Sequence, residues 1–411
     1  MASIAENWKD FSGARNWAGL LDHPLNTEFR RYLIHYGERV DAIVDAFNDV
    51  TASDSYGLSR YPAEDFFMNV NLQNGNPFKY QVTKYFYLQS EGIAEVFGLD
   101  LEGSAWIGYV AVTTDEGQRV LGRRDILVCW RGTKSNPERL QNLEVDLTPA
   151  SDIFGAANNP KVHRGFHNAY VAYGEKFKYN KASARTQVRA EVRKLVEMYA
   201  LKGEEVSITV AGHSLGAALA TLNGMDMVAN GWNKPSGSDK GFPVTVFAYA
   251  SPSVGDQGFQ DVFNGLTNDL HVLRIRNSYD PVPHGMKNLF PDYRDVGEEL
   301  EIDSSKSPYL KRPITGSESH NLQLYLHAIA GYQGKEEEFQ VVVDRDISLL
   351  NKPLDVLADK YKIPPKWWAV KNNGMIQMDN GFWKLNDYVP EPPSDDEEII
   401  TSLENGNLSP A

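Results

Sequence analysis

The chain has 411 residues, 42% of them hydrophobic, which is ample for a sizeable core. Its formal net charge is −14 and its pI is about 5.2. That balance, with no basic stripe of the kind a phosphate backbone needs, argues against a nucleic-acid partner.

In chain order, Met1-Ala-Ser-Ile-Ala-Glu-Asn-Trp-Lys-Asp10 carries no basic segment followed by an apolar run, so it reads as neither a signal nor a transit peptide. Residues 26–48 predict an amphipathic helix. Phe29, Tyr32, Leu33, Tyr36, Val40, Ile43, Val44 and Phe47 fall at helical spacing, and Asn26 is placed to cap it. Residues 78–90, 105–114 and 124–131 predict strands, with Gly117 in a polar turn that makes the last two an antiparallel pair. Cys129, the single cysteine, lies in the third of these and reads as a small core residue; without a partner it forms no intramolecular disulfide. That usage fits a reducing compartment.

A second helix is expected over 184–201, then a strand at 206–211, a helix after it, a strand at 244–250, a helix near 256–266 and a strand at 271–277. Apolar strands alternating with helices predict an α/β fold, a mostly parallel sheet with helices on both faces. Beyond it, a short strand is expected at 338–343 and a helix at 354–361. Asn380-Gly381, between Met375-Ile-Gln-Met and Phe382-Trp-Lys-Leu, predicts a two-residue hairpin. After Lys384 there is no Lys or Arg, and prolines cluster with Asp395-Asp-Glu-Glu398, so 386–411 reads as a disordered acidic tail. No run of about 18 apolar residues offers a membrane span. A cytoplasmic protein, with residues 1–385 as one domain, is the expectation.

The chemistry concentrates at Val206-Ser-Ile-Thr-Val-Ala-Gly212-His-Ser214-Leu-Gly216-Ala-Ala-Leu-Ala220. Chance alone can supply a bare G-x-S-x-G. Here it follows a β-branched run and opens a helix of small residues, the strand–turn–helix setting of a nucleophile elbow. Ser214 needs a base, and the base a carboxylate. Asp280 follows a predicted strand directly, and Pro281 and Pro283 stiffen its loop; an ordinary turn aspartate is the alternative. His284, His320 and His327 are candidate bases. His284 is only four residues from Asp280. His327 falls inside the apolar run 322–329. His320 ends a polar loop just before that run and is preferred. For the oxyanion, the N–H of Leu215 follows the nucleophile, and Thr133 ends the strand closed by Trp130-Arg131-Gly132, where Gly132 permits an unusual backbone angle.

These residues resemble the class 3 lipases. The similarity is carried by Trp-Arg-Gly-Thr133, Val162-His-Arg-Gly-Phe166, Gly-His-Ser-Leu-Gly-Ala-Ala-Leu-Ala, Asp280-Pro-Val-Pro and His320-Asn-Leu-Gln-Leu-Tyr-Leu-His. Within the family it is similar to the plant phospholipase A1 group lacking a plastid transit peptide, over roughly residues 5–385. The resemblance implies an α/β-hydrolase with Ser214 as nucleophile, Asp280 as acid, His320 as base, and Thr133 with Leu215 as oxyanion hole. It also implies a lid over roughly 134–161, in which Leu140, Leu143, Val145, Leu147, Ile153 and Phe154 either face a lipid or simply pack on the domain.

The implied substrate is a glycerolipid at a membrane or lipid-droplet surface, cleaved without metal or organic cofactor. Two alternatives stand beside a phospholipase A1: a mono-, diacylglycerol or galactolipid lipase, and a lipase-like binding or signalling protein that keeps the fold without the chemistry.

Overall fold

The computed structural model describes residues 3–89, 103–133, 146–311, 314–368, 371–386 and 388–392, and of 286–289, 371 and 372 only the backbone. Residues 134–145 and 393–411, where the first part of the expected lid and most of the acidic tail fall, lie outside the described residues.

The main sheet has seven strands. In chain order they are β1 (Tyr80–Gln89), β2 (Ser104–Thr113) and β3 (Arg124–Trp130), then, past a small antiparallel pair of β4 (Leu147–Pro149) and β5 (Lys161–His163), β6 (Val206–His213), β7 (Val244–Tyr249), β8 (Leu270–Asn277) and β9 (Glu298–Ile302). Their spatial order is β1-β2-β3-β6-β7-β8-β9. The first three pair antiparallel, and every pair from β3 to β9 is parallel. The mostly parallel sheet expected from the alternation of elements is therefore what forms. β3 and β7 are buried at every position, as strands covered on both faces must be.

The Thr27–Ala46 helix covers one face, capped by Asn26, whose side chain accepts from the Glu28 and Phe29 N–H groups. It is pinned by a polar cluster: the fully buried Asp125 accepts from Tyr36, Tyr80, Ser207 and Thr209 hydroxyls at 2.9, 2.6, 2.7 and 2.8 Å. The Ala184–Leu201 and Leu215–Ala229 helices cover the other face, the second held to β3 by Trp130 Nε1–H donating to Asn223 at 3.2 Å. Successive strand residues point to opposite faces, so Asp125 and Trp130 reach different layers.

Several local expectations are corrected. Gly117 lies not in a plain turn but in a helix, Asp115–Leu121, capped by Thr114; the strands it joins are antiparallel all the same. Residues 338–343 form no strand. The Gln340 and Val342 N–H groups donate to the carbonyls of Gly331 and Ala330, so the segment satisfies the end of the Leu322–Gly331 helix rather than a sheet edge. Residues 354–361 are not an α-helix: Leu357 bridges Leu310, Ala358 N–H bonds Tyr309, and only Asp359–Tyr361 turn, as a 3₁₀ segment. The hairpin of β10 (Met375–Gln377) and β11 (Trp383–Leu385) forms, but with a wider turn. Met378 N–H bonds the Phe382 carbonyl and Gly381 N–H the Met378 carbonyl, with Gly381 at φ 82°; the loop is a turn closed by a left-handed glycine rather than a two-residue one. Of the expected tail, Pro390 is buried, and its carbonyl accepts from the Tyr179 hydroxyl at 2.7 Å.

Candidate active site

β6 ends at His213, and Ser214 takes φ 60° and ψ −128° before the helix starts at Leu215. A non-glycine residue here carries strain, on the order of 1–3 kcal/mol, which the surroundings must hold. They do so through close packing that only glycine permits. A Cβ on Gly212 would lie 2.1 Å from the Gly216 carbonyl oxygen, and one on Gly216 would lie 2.4 Å from that of Trp130. The turn is therefore wedged against the end of β3. The Ser214 N–H bonds the Tyr249 carbonyl at 2.9 Å, which ties it to β7.

The Ser214 hydroxyl donates to His320 Nε2 at 2.8 Å, and His320 Nδ1–H donates to Asp280 Oδ2 at 2.7 Å. All three are buried, with exposures of 2, 6 and 0% for Ser214, His320 and Asp280. Asp280 lies three residues past β8, immediately before the Pro281–Leu289 helix. The expected stiff loop is thus the first turn of a helix, with proline at the position where no N–H is needed. Asp280 Oδ1 accepts from the Val282 N–H at 2.9 Å. His320 sits between a single turn, Gly316–Ser319, and the Leu322–Gly331 helix capped by Asn321. Asn277, the last residue of β8, donates to the Ser319 carbonyl at 2.9 Å and so ties the histidine loop to the acid's strand.

The other two histidines point elsewhere. His327 is buried on Ser307, its Nε2 at 2.7 Å from the hydroxyl oxygen, and burial lowers its pKa to about 3. His284 lies against the Arg276 guanidinium. The structure brings His320, and neither of these, to Ser214.

The end of β3 runs beside the elbow, since Trp130 pairs with Gly212. Gly132 is not at positive φ among the described glycines, so its expected role is corrected. It is needed because a Cβ there would lie 2.6 Å from the His213 carbonyl oxygen. Arg131, 1% exposed, donates from Nη1 to the Gly132 carbonyl and from Nε to the Trp106 carbonyl, both at 3.1 Å. Its guanidinium lies 4.0 Å from the Phe47 ring centre. In a trans peptide the carbonyl and the next N–H point opposite ways, so this bond aims the Thr133 N–H away from Arg131. Leu215 N–H is the first of its helix and has no carbonyl within that helix to bond.

Three supporting residues escaped sequence reasoning. Tyr325 donates its hydroxyl to Asp280 Oδ2 at 2.5 Å; burial and the carboxylate raise its pKa well above the usual tyrosine value, so it stays a donor. His213 Nε2–H donates to the His320 carbonyl at 2.7 Å, and burial with the neighbouring His320 lowers its pKa to about 3, which keeps it neutral. Arg131 is the third. One signal was present for Tyr325: a tyrosine inside an apolar helical run needs a partner for its hydroxyl.

Of the expected lid, residues 146–161 are described. Ile153 is 3% exposed and Phe154 packs on the core, 5.8 Å from the Phe259 ring, so these two follow the packing alternative; Leu147 is half-buried. Leu140, Leu143 and Val145 lie outside the described residues. His163 caps the Arg164–Val171 helix, its Nδ1 accepting from Gly165 N–H at 3.0 Å.

Residues 127–290 match the family described as lipase (class 3). Curated relatives include phospholipase A1-IIgamma of Arabidopsis thaliana, 45% identical over 94% of this chain and 93% of the relative. They also include phospholipase A1-II 4 of Oryza sativa subsp. japonica, 42% identical over 96% and 98%. Similar solved structures include the LIP2 lipase of Yarrowia lipolytica, at 19% identity and a TM-score of 0.46 over 72% of this chain and 85% of that one.

Proposed function

This chain belongs to the class 3 lipase family, in its phospholipase A1-II group, and is a carboxylic ester hydrolase; from that premise we propose that it releases the sn-1 acyl chain of phospholipids through Ser214. The observation that carries this reading is the continuous hydrogen-bond chain from Ser214 through His320 to Asp280, on an elbow whose glycines leave no room for a side chain.

In the proposed reaction His320 Nε2 takes the Ser214 proton as Oγ attacks the ester carbonyl. The N–H groups of Leu215 and Thr133 hold the oxyanion, where such donors are each worth about 10²–10³ in rate. Asp280 fixes the imidazole with its proton on Nδ1 and stabilises the imidazolium. His320 then protonates the leaving lysophospholipid oxygen, and water repeats the sequence on the acyl-enzyme. Every group required is a side chain or backbone N–H of this chain. At 2% exposure Ser214 is closed to a substrate, so a movement admitting the ester belongs to the proposal, with part of 134–161 as the lid. We take residues 1–385 as the hydrolase domain. Among the described residues no helix is long and apolar enough to cross a membrane; in this proposal the lipid is met at a membrane or lipid-droplet surface.

Ser214→Ala tests the assignment. Release of fatty acid from phosphatidylcholine falls on the order of 10⁶-fold, as for other serine hydrolases stripped of the nucleophile. Near-parental hydrolysis by this variant refutes it. A panel of phospholipid, galactolipid and diacylglycerol substrates, with positional analysis of the lysolipid, separates phospholipase A1 from the alternatives. Labelling of Ser214 by a fluorophosphonate rejects the non-catalytic reading.

A further inference from the structure

The β10–β11 hairpin is a surface the fold does not use for itself. Residues 376–384 are all exposed. A two-stranded hairpin open on both faces is expected to be polar, because nothing buries its side chains. This one carries Ile376, Met378, Phe382 and Trp383, exposed by 43, 43, 74 and 53%, four of the twelve large apolar side chains exposed on the described surface. They are also arranged. Ile376 pairs with Lys384, and Met378 bonds Phe382 across the turn, so Ile376, Met378, Phe382 and Lys384 share one face, while Trp383 lies on the other beside Gln377.

The charge of the surrounding segment points to the partner. Between Asp359 and Asp387 the sequence holds Lys360, Lys362, Lys366, Lys371 and Lys384 against one acid, Asp379, a local net +4 bounded by acids on both sides in a chain of net −14. Lys360, Lys362 and Lys366 are exposed, and Trp367, 37% exposed, stands among them. Aromatic and aliphatic side chains at a tip, with Lys384 on their face and further lysines in the sequence that leads into the hairpin, match the layering of a bilayer interface, with apolar groups below the headgroups and cations at their level.

We propose that the Met375–Leu385 hairpin docks the protein on an anionic phospholipid surface. Ile376, Met378 and Phe382 enter the headgroup–acyl boundary, and Lys360, Lys362, Lys366 and Lys384 meet the lipid phosphates. This deepens the phospholipase reading and rests on it, since it supplies the step that brings the active site to aggregated substrate.

The experiment measures binding apart from chemistry. Full-length Ser214→Ala protein is sedimented with phosphatidylcholine vesicles with and without phosphatidylserine. It partitions onto the anionic vesicles, less so as salt is raised. Adding Ile376→Ser and Phe382→Ser lowers partition at least tenfold, the loss expected for two apolar anchors. Adding Lys362→Gln and Lys366→Gln instead lowers it by about fivefold per lysine. With Ser214 intact, the hairpin pair leaves hydrolysis of a soluble short-chain ester unchanged. No vesicle binding, or equal binding by parent and hairpin variant, overturns the proposal. So does a concentration-dependent dimer that the hairpin substitutions dissolve without vesicle binding, since the occupant is then a second copy. Loss of soluble-ester hydrolysis by the parent chain would refute the hydrolase reading while leaving the vesicle result to stand by itself.

Discussion

Gly216→Ala isolates what the elbow's packing does for catalysis. The added methyl would sit 2.4 Å from the Trp130 carbonyl oxygen and 2.7 Å from the Arg131 carbonyl carbon, both backbone atoms that cannot rotate aside. An ordinary contact begins near 3.4 Å, so the start of the Leu215–Ala229 helix and the end of β3 must separate by about 1 Å. Those two segments carry the Leu215 and Thr133 N–H groups, so the same movement opens the proposed oxyanion hole. A 1 Å misplacement costs roughly 10²-fold in rate. The stability cost is about 1–3 kcal/mol for overpacking, partly offset by about 1 kcal/mol of helix propensity gained over glycine. Gly224→Ala is the control. Its methyl meets the Val246 Cγ2 at 2.4 Å in the same helix, far from the elbow in sequence, so it lowers stability while leaving turnover near the parental value. The assay is kcat on a soluble short-chain ester beside urea unfolding of both variants. A Gly216→Ala enzyme with kcat within threefold of the parent refutes the link between this packing and the oxyanion site.

Tyr325→Phe removes one of three donors, among the described residues, to the fully buried Asp280 and keeps the ring; a hydrogen bond to a charged group is worth about 1.5–3 kcal/mol, so the urea midpoint falls. An unchanged midpoint would show that Tyr325 does not support the acid. His320→Ala abolishes ester hydrolysis, whereas His327→Ala, which vacates a buried site on Ser307, lowers thermal stability and keeps turnover; the reverse pattern moves the base to His327. Acid sensitivity follows from His213 and His327, both with pKa lowered to about 3 in the fold. The unfolded chain protonates these histidines first as pH falls below about 6.5, so the stability they contribute is complete above that value and lost progressively down to about pH 3. At pH 5.5 each withdraws about 1.4 kcal/mol relative to pH 7.5. Urea titrations at the two pH values check this, and a flat response in the parent, or the same slope in His327→Leu, counts against it.

The sequence by itself determined the elements and their chemistry. The β-branched run before Gly212, the small residues after Ser214 and the alternation through β8 are local patterns, and local patterns specify strand, turn and helix. Chain order placed Asp280 past a strand and His320 in a polar loop, and the tertiary structure joins them to Ser214 across 40 and 106 residues of sequence. Where an element is defined by what it packs on, the pattern misled. The valines at 341–343 suggested a strand, but a helix end with unpaired carbonyls took the Gln340 and Val342 N–H groups. The reason for Gly132 was read as backbone freedom and is contact distance, which exists only once β6 lies beside β3. Tyr325, His213 and Arg131 act on atoms of Asp280, His320 and Gly132, and no spacing rule announces them. Periodicity records which side of an element is buried; only the assembled fold fixes which donor lies within 3 Å of which acceptor.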